Sequence, residues 1–148
     1  VRPALDRNRS AWARQPLDAS AMHVAAQVLV GKHDFEAFRA AGCQARHARR
    51  HVYGFRVKRR GQQIDFEVTA NAFLYHMVRN MVGTLIDVGR GERDADWVAR
   101  LLRRRRRELA GATAPAAGLY FVGARYPESH SLPEPDAGTA WPRGWNLS

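Results

Sequence analysis

The sequence predicts an α+β domain in which a mostly antiparallel sheet is covered by helices. Two neighbouring segments alternate apolar and polar residues with period two and meet at a turn signal, and the stretches on either side repeat apolar residues at helical spacing. The resulting order, α, α, β, β, α, α, β, places strands next to each other in the chain, where a hairpin joins them without a crossover. At 148 residues the chain suits one domain with a substantial core and is too short for two ordinary ones.

The elements follow in order. Pro16-Leu17-Asp18 precedes a helix over Ala19 to Val30, with Asp18 as its cap and Gly31 as its stop. His33 to Ala41 predicts a second, short helix that sets Phe35 and Phe38 on one core-facing side. Gly42 to Arg50 has neither period and marks a basic loop. In the hairpin that follows, Tyr53, Phe55 and Val57 face one way and Arg56 and Lys58 the other. Ile64, Phe66, Val68 and Ala70 alternate with Asp65, Glu67 and Thr69, Arg60-Gly61 supplies the turn, and opposite charges pair across the exposed side.

Asn71, read as an N-cap, predicts a helix over residues 72 to 88 with Leu74, Met77, Val78, Met81, Leu85 and Val88 as its apolar stripe. The opposite side gathers His76, Arg79, Asn80, Gly83 and Asp87, with Tyr75 at its border. A solvated helix face is usually rich in Glu, Lys and Ala, and a helix-interior Gly costs about 1 kcal/mol relative to Ala. A close neighbour is therefore expected against this face. Gly89-Arg-Gly91 ends the helix, and Asp94 caps a third one running through Arg107, with Trp97, Val98, Leu101 and Leu102 facing inward. The five arginines Arg103 to Arg107 cover every side of such a helix; they suit the negative end of its dipole and are also candidates for phosphate contact. Gly111 to Ala117 is a small-residue loop, and Gly118 to Tyr126 reads as a last strand. The expected organisation is a linker over residues 1 to 16, a domain over 17 to 127, and a proline-containing tail over 128 to 148 that Trp141 and Trp145 anchor. The linker, which begins at Val1 without an initiator methionine, is expected to come from a longer chain.

Composition narrows the function. Twenty-four Lys and Arg against 14 Asp and Glu give a formal charge of +10 and a pI near 11.1, almost all of it from Arg. The planar guanidinium matches phosphate oxygens, so the excess points to a polyanionic partner such as nucleic acid. A GC-rich genome accounts for Arg over Lys but not for the net excess. One cysteine, Cys43, excludes an internal disulfide framework and suits a reducing compartment. With no apolar run of membrane-spanning length and no signal peptide, the expected location is cytoplasmic, with no membrane partner.

The six histidines show no zinc-type pairing, and no glycine-rich nucleotide loop appears, so no metal and no cofactor are expected. Asp18 and Asp94 are caps, Asp65 and Glu67 lie on a strand, and Asp87 reads as a structural partner. The residues offer a binding half without an obvious reactive group.

Asn71-Ala-Phe-Leu-Tyr-His-Met-Val-Arg-Asn-Met-Val-Gly-Thr-Leu85, together with Gly31-Lys-His-Asp-Phe-Glu-Ala-Phe-Arg39, Cys43-Gln-Ala-Arg46, Thr113-Ala-Pro115 and Gly118-Leu-Tyr-Phe121, strongly resembles the C-terminal half of the TruA family of tRNA pseudouridine synthases. The resemblance runs from about Arg2 to Pro135 in the right order. It implies the C-terminal domain of a pseudouridine synthase fold. The family isomerises uridine to pseudouridine in the anticodon stem-loop of tRNA, at positions 38 to 40, without cofactor or metal. Its members resemble homodimers with a basic cleft between two α/β halves, and the catalytic aspartate lies in a segment of the N-terminal half that this sequence lacks.

By position, the resemblance makes Arg79 the arginine that pairs with that absent aspartate and Leu119 the apolar residue packed near the base. Phe73, Tyr75, His76 and Asn80 become cleft wall, and Arg46 and Arg107 become phosphate contacts; Tyr75, His76 and Asn80 are thus RNA-binding candidates as well. The expected partners are tRNA, a second copy of the chain and the missing half. The isolated chain is expected to be inactive. A non-catalytic tRNA- or RNA-binding module that keeps the cleft shape is the alternative, and a protein-interaction domain is a third class.

Overall fold

A computed structural model describes residues 9–124. The chain divides after Gly118 into two units. The first holds every helix and strand found among the described residues.

Helix α1, Ala19–Val28, starts where the Asp18 carboxylate accepts the N–H of Ala21 at 3.0 Å, satisfying one of the amides that a helix start leaves without a partner. It buries Met22, Ala25 and Ala26. Leu29 caps its other end, and the chain reverses at Gly31, whose φ of 113° favours glycine.

The predicted second helix is replaced by strand β1, Gly31–Asp34, and a single 3-10 turn, Glu36–Phe38. The long strand β2, Arg49–Arg60, supplies the reason. It offers a free edge that pairs antiparallel with β1 from Gly31 opposite Val52 to Asp34 opposite Arg49. Asp34 Oδ1 then accepts the N–H of Glu36 at 3.0 Å, turning the chain so that Phe35 and Phe38 still reach the core.

Strand β3, Gln63–Ala70, pairs with the other edge of β2, which gives a three-stranded antiparallel sheet in the order β1-β2-β3. The register slips between Val52 and Gly54, so Tyr53 is the extra residue of a β-bulge. This corrects the predicted alternation. Val52, Phe55 and Val57 face the core, while Tyr53 is 57% exposed. Beyond the bulge the outer face carries the expected charge pairs, Arg56 with Glu67 at 2.5 Å and Arg60 with Asp65.

Helix α1 lies against β2. His23 Nδ1 accepts the N–H of Val57 at 3.2 Å, and Gln27 Nε2 donates to the Phe55 carbonyl at 2.7 Å. Helices α2, Met77–Gly89, and α3, Ala95–Arg104, pack on α1, and the buried core runs from Met22 and Leu29 through Phe35 and Phe38 to Met81, Leu85 and Val98.

Helix α2 begins five residues later than predicted because Asn71 does other work. Its N–H donates to the His51 carbonyl at 3.0 Å and its Oδ1 accepts the His51 N–H at 2.9 Å, which continues the hairpin ladder past the end of β3. His76, at φ 58°, then turns the chain into the helix. The stripe remains: Leu74, Met77, Met81, Leu85 and Val88 are buried, and Val78 is partly so.

Asp94 caps α3 as expected, accepting the N–H of Trp97 at 2.8 Å. The helix ends at Arg104, not Arg107, because Arg105 adopts a left-handed conformation at φ 55° and Arg107 starts a separate 3-10 turn, Arg107–Leu109. The predicted strand from Gly118 is absent among the described residues: 118–124 form no strand, and Leu119, Tyr120 and Phe121 are exposed. Trp141 and Trp145, the expected tail anchors, lie outside the described residues.

Candidate functional site

The polar face of α2 is covered by the chain itself. A Cβ built on Gly83 falls 1.7 Å from the Ala112 carbonyl oxygen, and one built on Gly111 falls 2.7 Å from Thr84 Cα. Two glycines therefore let the segment around Ala112 lie directly on the helix backbone. Thr84 Oγ1 joins the two, donating to the Asn80 carbonyl at 2.9 Å and accepting the Gly111 N–H at 3.1 Å.

Asn80 is 0% exposed. Its Nδ2 donates to the Phe38 carbonyl at 2.8 Å, and its Oδ1 accepts from Thr113 Oγ1 at 2.6 Å and from Arg107 Nη2 at 2.9 Å. Arg107 also donates to the Gly111 carbonyl at 2.8 Å and to Thr113 Oγ1 at 3.0 Å. Both residues, expected as RNA contacts, are engaged within the chain. Burial removes the Asn80 amide from solvent, and the Arg107 guanidinium is occupied by the loop it braces. Together they hold residues 111–113 against α2.

What they position is the partner of Arg79. Ala114 donates its N–H to the Arg79 carbonyl at 3.0 Å and accepts from Arg79 Nε at 2.8 Å. Arg79 Nη1 lies 3.2 Å from His76 Nε2. An arginine only donates, so this contact requires His76 to accept at Nε2 and carry its ring proton on Nδ1. Tyr75 stacks on His76 with ring centroids 4.0 Å apart and is itself 55% exposed. The guanidinium is half-buried and held at Nε and Nη1, and it forms no ion pair with any carboxylate among the described residues. Asp87, the carboxylate on the same helix face, turns to Arg90 at 3.5 Å. Burial pushes its carboxyl above the usual range, nearby Glu92 adds to this, and Arg90 and Arg93 oppose it.

The basic loop is held from below. Arg39 Nη2 donates to the carbonyls of Cys43 at 3.1 Å and Ala45 at 2.5 Å, next to exposed Arg46, and the Ala40 N–H donates to the Tyr75 carbonyl at 3.2 Å. Main-chain hydrogen bonds from Ala45 and Tyr75 hold the Cys43 thiol below its ordinary range, and the charge of Arg39 adds to the effect. The loop thus meets the start of α2 through Tyr75. Arg39 is absent from the sequence-predicted site residues because its partners, the carbonyls of Cys43 and Ala45, lie in a loop whose course periodicity does not give.

Phe73 is exposed near the start of α2. Leu119, 50% exposed, belongs to the second unit. Among the described residues no group of three His, Cys, Asp or Glu side chains is assembled, and no helix is long and apolar enough to cross a membrane.

The polar face of α2 thus carries a braced arginine, with the aromatic residue Tyr75 and the basic loop beside it. Residues 25–127 match the family model described as tRNA pseudouridine synthase, and the chain belongs to that family. It is 56% identical to "tRNA pseudouridine synthase A" of Xanthomonas euvesicatoria pv. vesicatoria over 133 residues, which cover 90% of this chain and 52% of that protein. It is 57% identical to the protein of the same name from Xylella fastidiosa (strain M23), with 90% and 52% covered. The protein of that name from Hydrogenovibrio crunogenus is 55% identical, with 90% and 51% covered. The chain thus spans about half the length of the curated relatives it matches.

Proposed function

We propose that this chain is the C-terminal part of a cytoplasmic tRNA pseudouridine synthase, supplying one wall of the active-site cleft and much of its RNA-binding surface. The observation that carries the reading is the half-buried Arg79 guanidinium, fixed through Nε to Ala114 and through Nη1 to His76, without a carboxylate among the described residues. A partly desolvated cation on a rigid mount is arranged to receive an anion.

In this reading the anion is the catalytic aspartate of the N-terminal half. The positive charge of Arg79 favours its ionised form, and the fixed Nε and Nη1 orient the remaining donors toward it. The target is uridine at positions 38 to 40 in the anticodon stem-loop, whose glycosidic bond breaks before the uracil rejoins through carbon 5. Leu119 packs near the base, Tyr75 and His76 border the cleft, and Arg46 meets phosphate. Asn80 and Arg107 act at one remove by fixing the loop that holds Arg79. The active form is a homodimer of complete subunits and needs no cofactor.

The test is tritium release from tRNA carrying 5-tritiated uridine. The chain alone is expected to release none, and the complete protein is expected to be active. Release by the chain alone sinks the claim that its nucleophile lies elsewhere. An inactive complete protein that still binds tRNA supports the other reading, a non-catalytic RNA-binding module.

A further inference from the structure

The outer face of the sheet carries a feature that the Arg79 site does not use. Tyr53 is the inserted residue of the β2 bulge, and its ring projects from the side away from the core. His51, two residues back on the same face, lies against it with ring centroids 4.4 Å apart. Gly54 has no side chain to cover the next position, nothing lies within 4 Å of where its Cβ would be, and its partner across the strands, Thr69, is small and exposed. The result is an aromatic ring beside a low, open shelf.

Cations border it. Lys32 pairs directly with His51 across β1 and β2, so the two side chains share a face, and Arg49 lies on that face one step further along. Neither forms an ion pair among the described residues. The nearby carboxylates are engaged elsewhere: Asp34 accepts from Glu36 N–H and faces Arg105 at 3.7 Å, and Glu67 is taken by Arg56.

From this geometry, and resting on the RNA-binding reading above, we infer that the Tyr53–His51 face is a stacking platform for an unpaired RNA base, with Lys32 and Arg49 meeting the flanking phosphates. Single-stranded RNA is recognised by aromatic faces that hold bases and by cations that follow the backbone. A protein partner fits less well, because the centre of a protein interface is depleted of charge, whereas this ring is bordered by unpaired cations.

The experiment uses the chain and two RNA probes of equal length: a hairpin with 2-aminopurine in its unpaired loop, and a fully paired duplex. Binding of the hairpin is expected to change the 2-aminopurine fluorescence through stacking. Tyr53→Ala and Tyr53→Leu are expected to weaken hairpin binding by roughly five- to 150-fold, the range typical of losing one base–aromatic stack. Duplex binding is expected to change little, and Tyr53→Phe to keep wild-type affinity. Lys32→Gln is expected to lower the log–log salt slope for the hairpin by roughly 0.7. Tyr53 contributes nothing to the core, and Tyr53→Leu keeps a strand-compatible side chain, so unchanged thermal melting is the folding control.

Hairpin affinity unchanged in both non-aromatic variants overturns the platform. Equal losses for hairpin and duplex overturn it too, as does a shift from dimer to monomer with RNA affinity intact, which makes the face a protein interface. Failure of the wild-type chain to bind either RNA overturns the underlying RNA reading instead.

Discussion

Ala114 grips Arg79 twice, donating its N–H to the Arg79 carbonyl at 3.0 Å and accepting from Arg79 Nε at 2.8 Å. The first bond ties the loop to the helix backbone, and the second fixes the guanidinium plane relative to that backbone. Position and orientation of the charge are thus set by one residue of the opposing loop.

Arg79→Lys in the complete protein is expected to lower kcat by at least tenfold while KM for tRNA changes little. Lysine keeps the charge, but it has no planar fork to bond Ala114 and present donors at the same time. Steady-state tritium release measures both constants. A raised KM at unchanged kcat assigns Arg79 to ground-state RNA binding.

Gly83→Ala is expected to destabilise the fold by about 1–3 kcal/mol, despite the gain in helix propensity, because the new methyl group overlaps the Ala112 carbonyl oxygen. The atoms nearest a Cβ built on Gly89 belong to the Met22 side chain, 2.7 Å away at Sδ, which can turn aside where a backbone carbonyl cannot, so Gly89→Ala is expected to cost less. Urea midpoints of the two variants give the comparison, and equal values contradict the account of backbone contact.

Asn80→Leu is expected to cost about 1–3 kcal/mol, since the Phe38 carbonyl, Thr113 hydroxyl and Arg107 guanidinium each lose a buried partner. Hydrogen exchange at the Ala114 amide is expected to quicken in both Asn80→Leu and Arg107→Ala. Unchanged exchange there detaches this network from Arg79.

Asp87 supplies a pH signature. Its carboxyl is pushed up, chiefly by burial, so the folded state binds its proton more tightly than the unfolded chain does. The slope of stability with pH follows the protons bound by the unfolded state minus those bound by the folded state, and here it is negative. The contribution is fully present below the ordinary carboxyl pKa and is lost as pH rises through the raised folded value. Asp87→Asn is expected to remove that decline, so its urea midpoint gains on the wild type above this window and not below it. Parallel midpoint curves for the two proteins refute the assignment.

Much of the fold was legible where the controlling interaction is local. Asp18 and Asp94 cap their helices as read, because a cap is a contact between residues three apart. The stripe of Met77, Met81, Leu85 and Val88 follows from period alone. The odd composition opposite it, with Gly83 in mid-helix, announced a close neighbour. That neighbour is the chain's own segment from Gly111 to Ala114, a match between residues some thirty apart that periodicity does not encode.

The amino-acid order alone specified the apolar stripe of α2, the Asp18 and Asp94 caps, the hairpin turn and the family motif around Arg79, because each is written in spacings of a few residues. Long-range pairing decided the rest. Gly31–Asp34 became a strand because an edge of β2 was available, Asn71 extended the ladder because His51 stood opposite, and Arg107 left its helix for the Gly111 carbonyl, the Asn80 side-chain amide and the Thr113 hydroxyl. In each case the local preference is worth a fraction of a kcal/mol to about one, whereas a strand pairing or a buried polar group left unsatisfied is worth more, so the distant partner prevails.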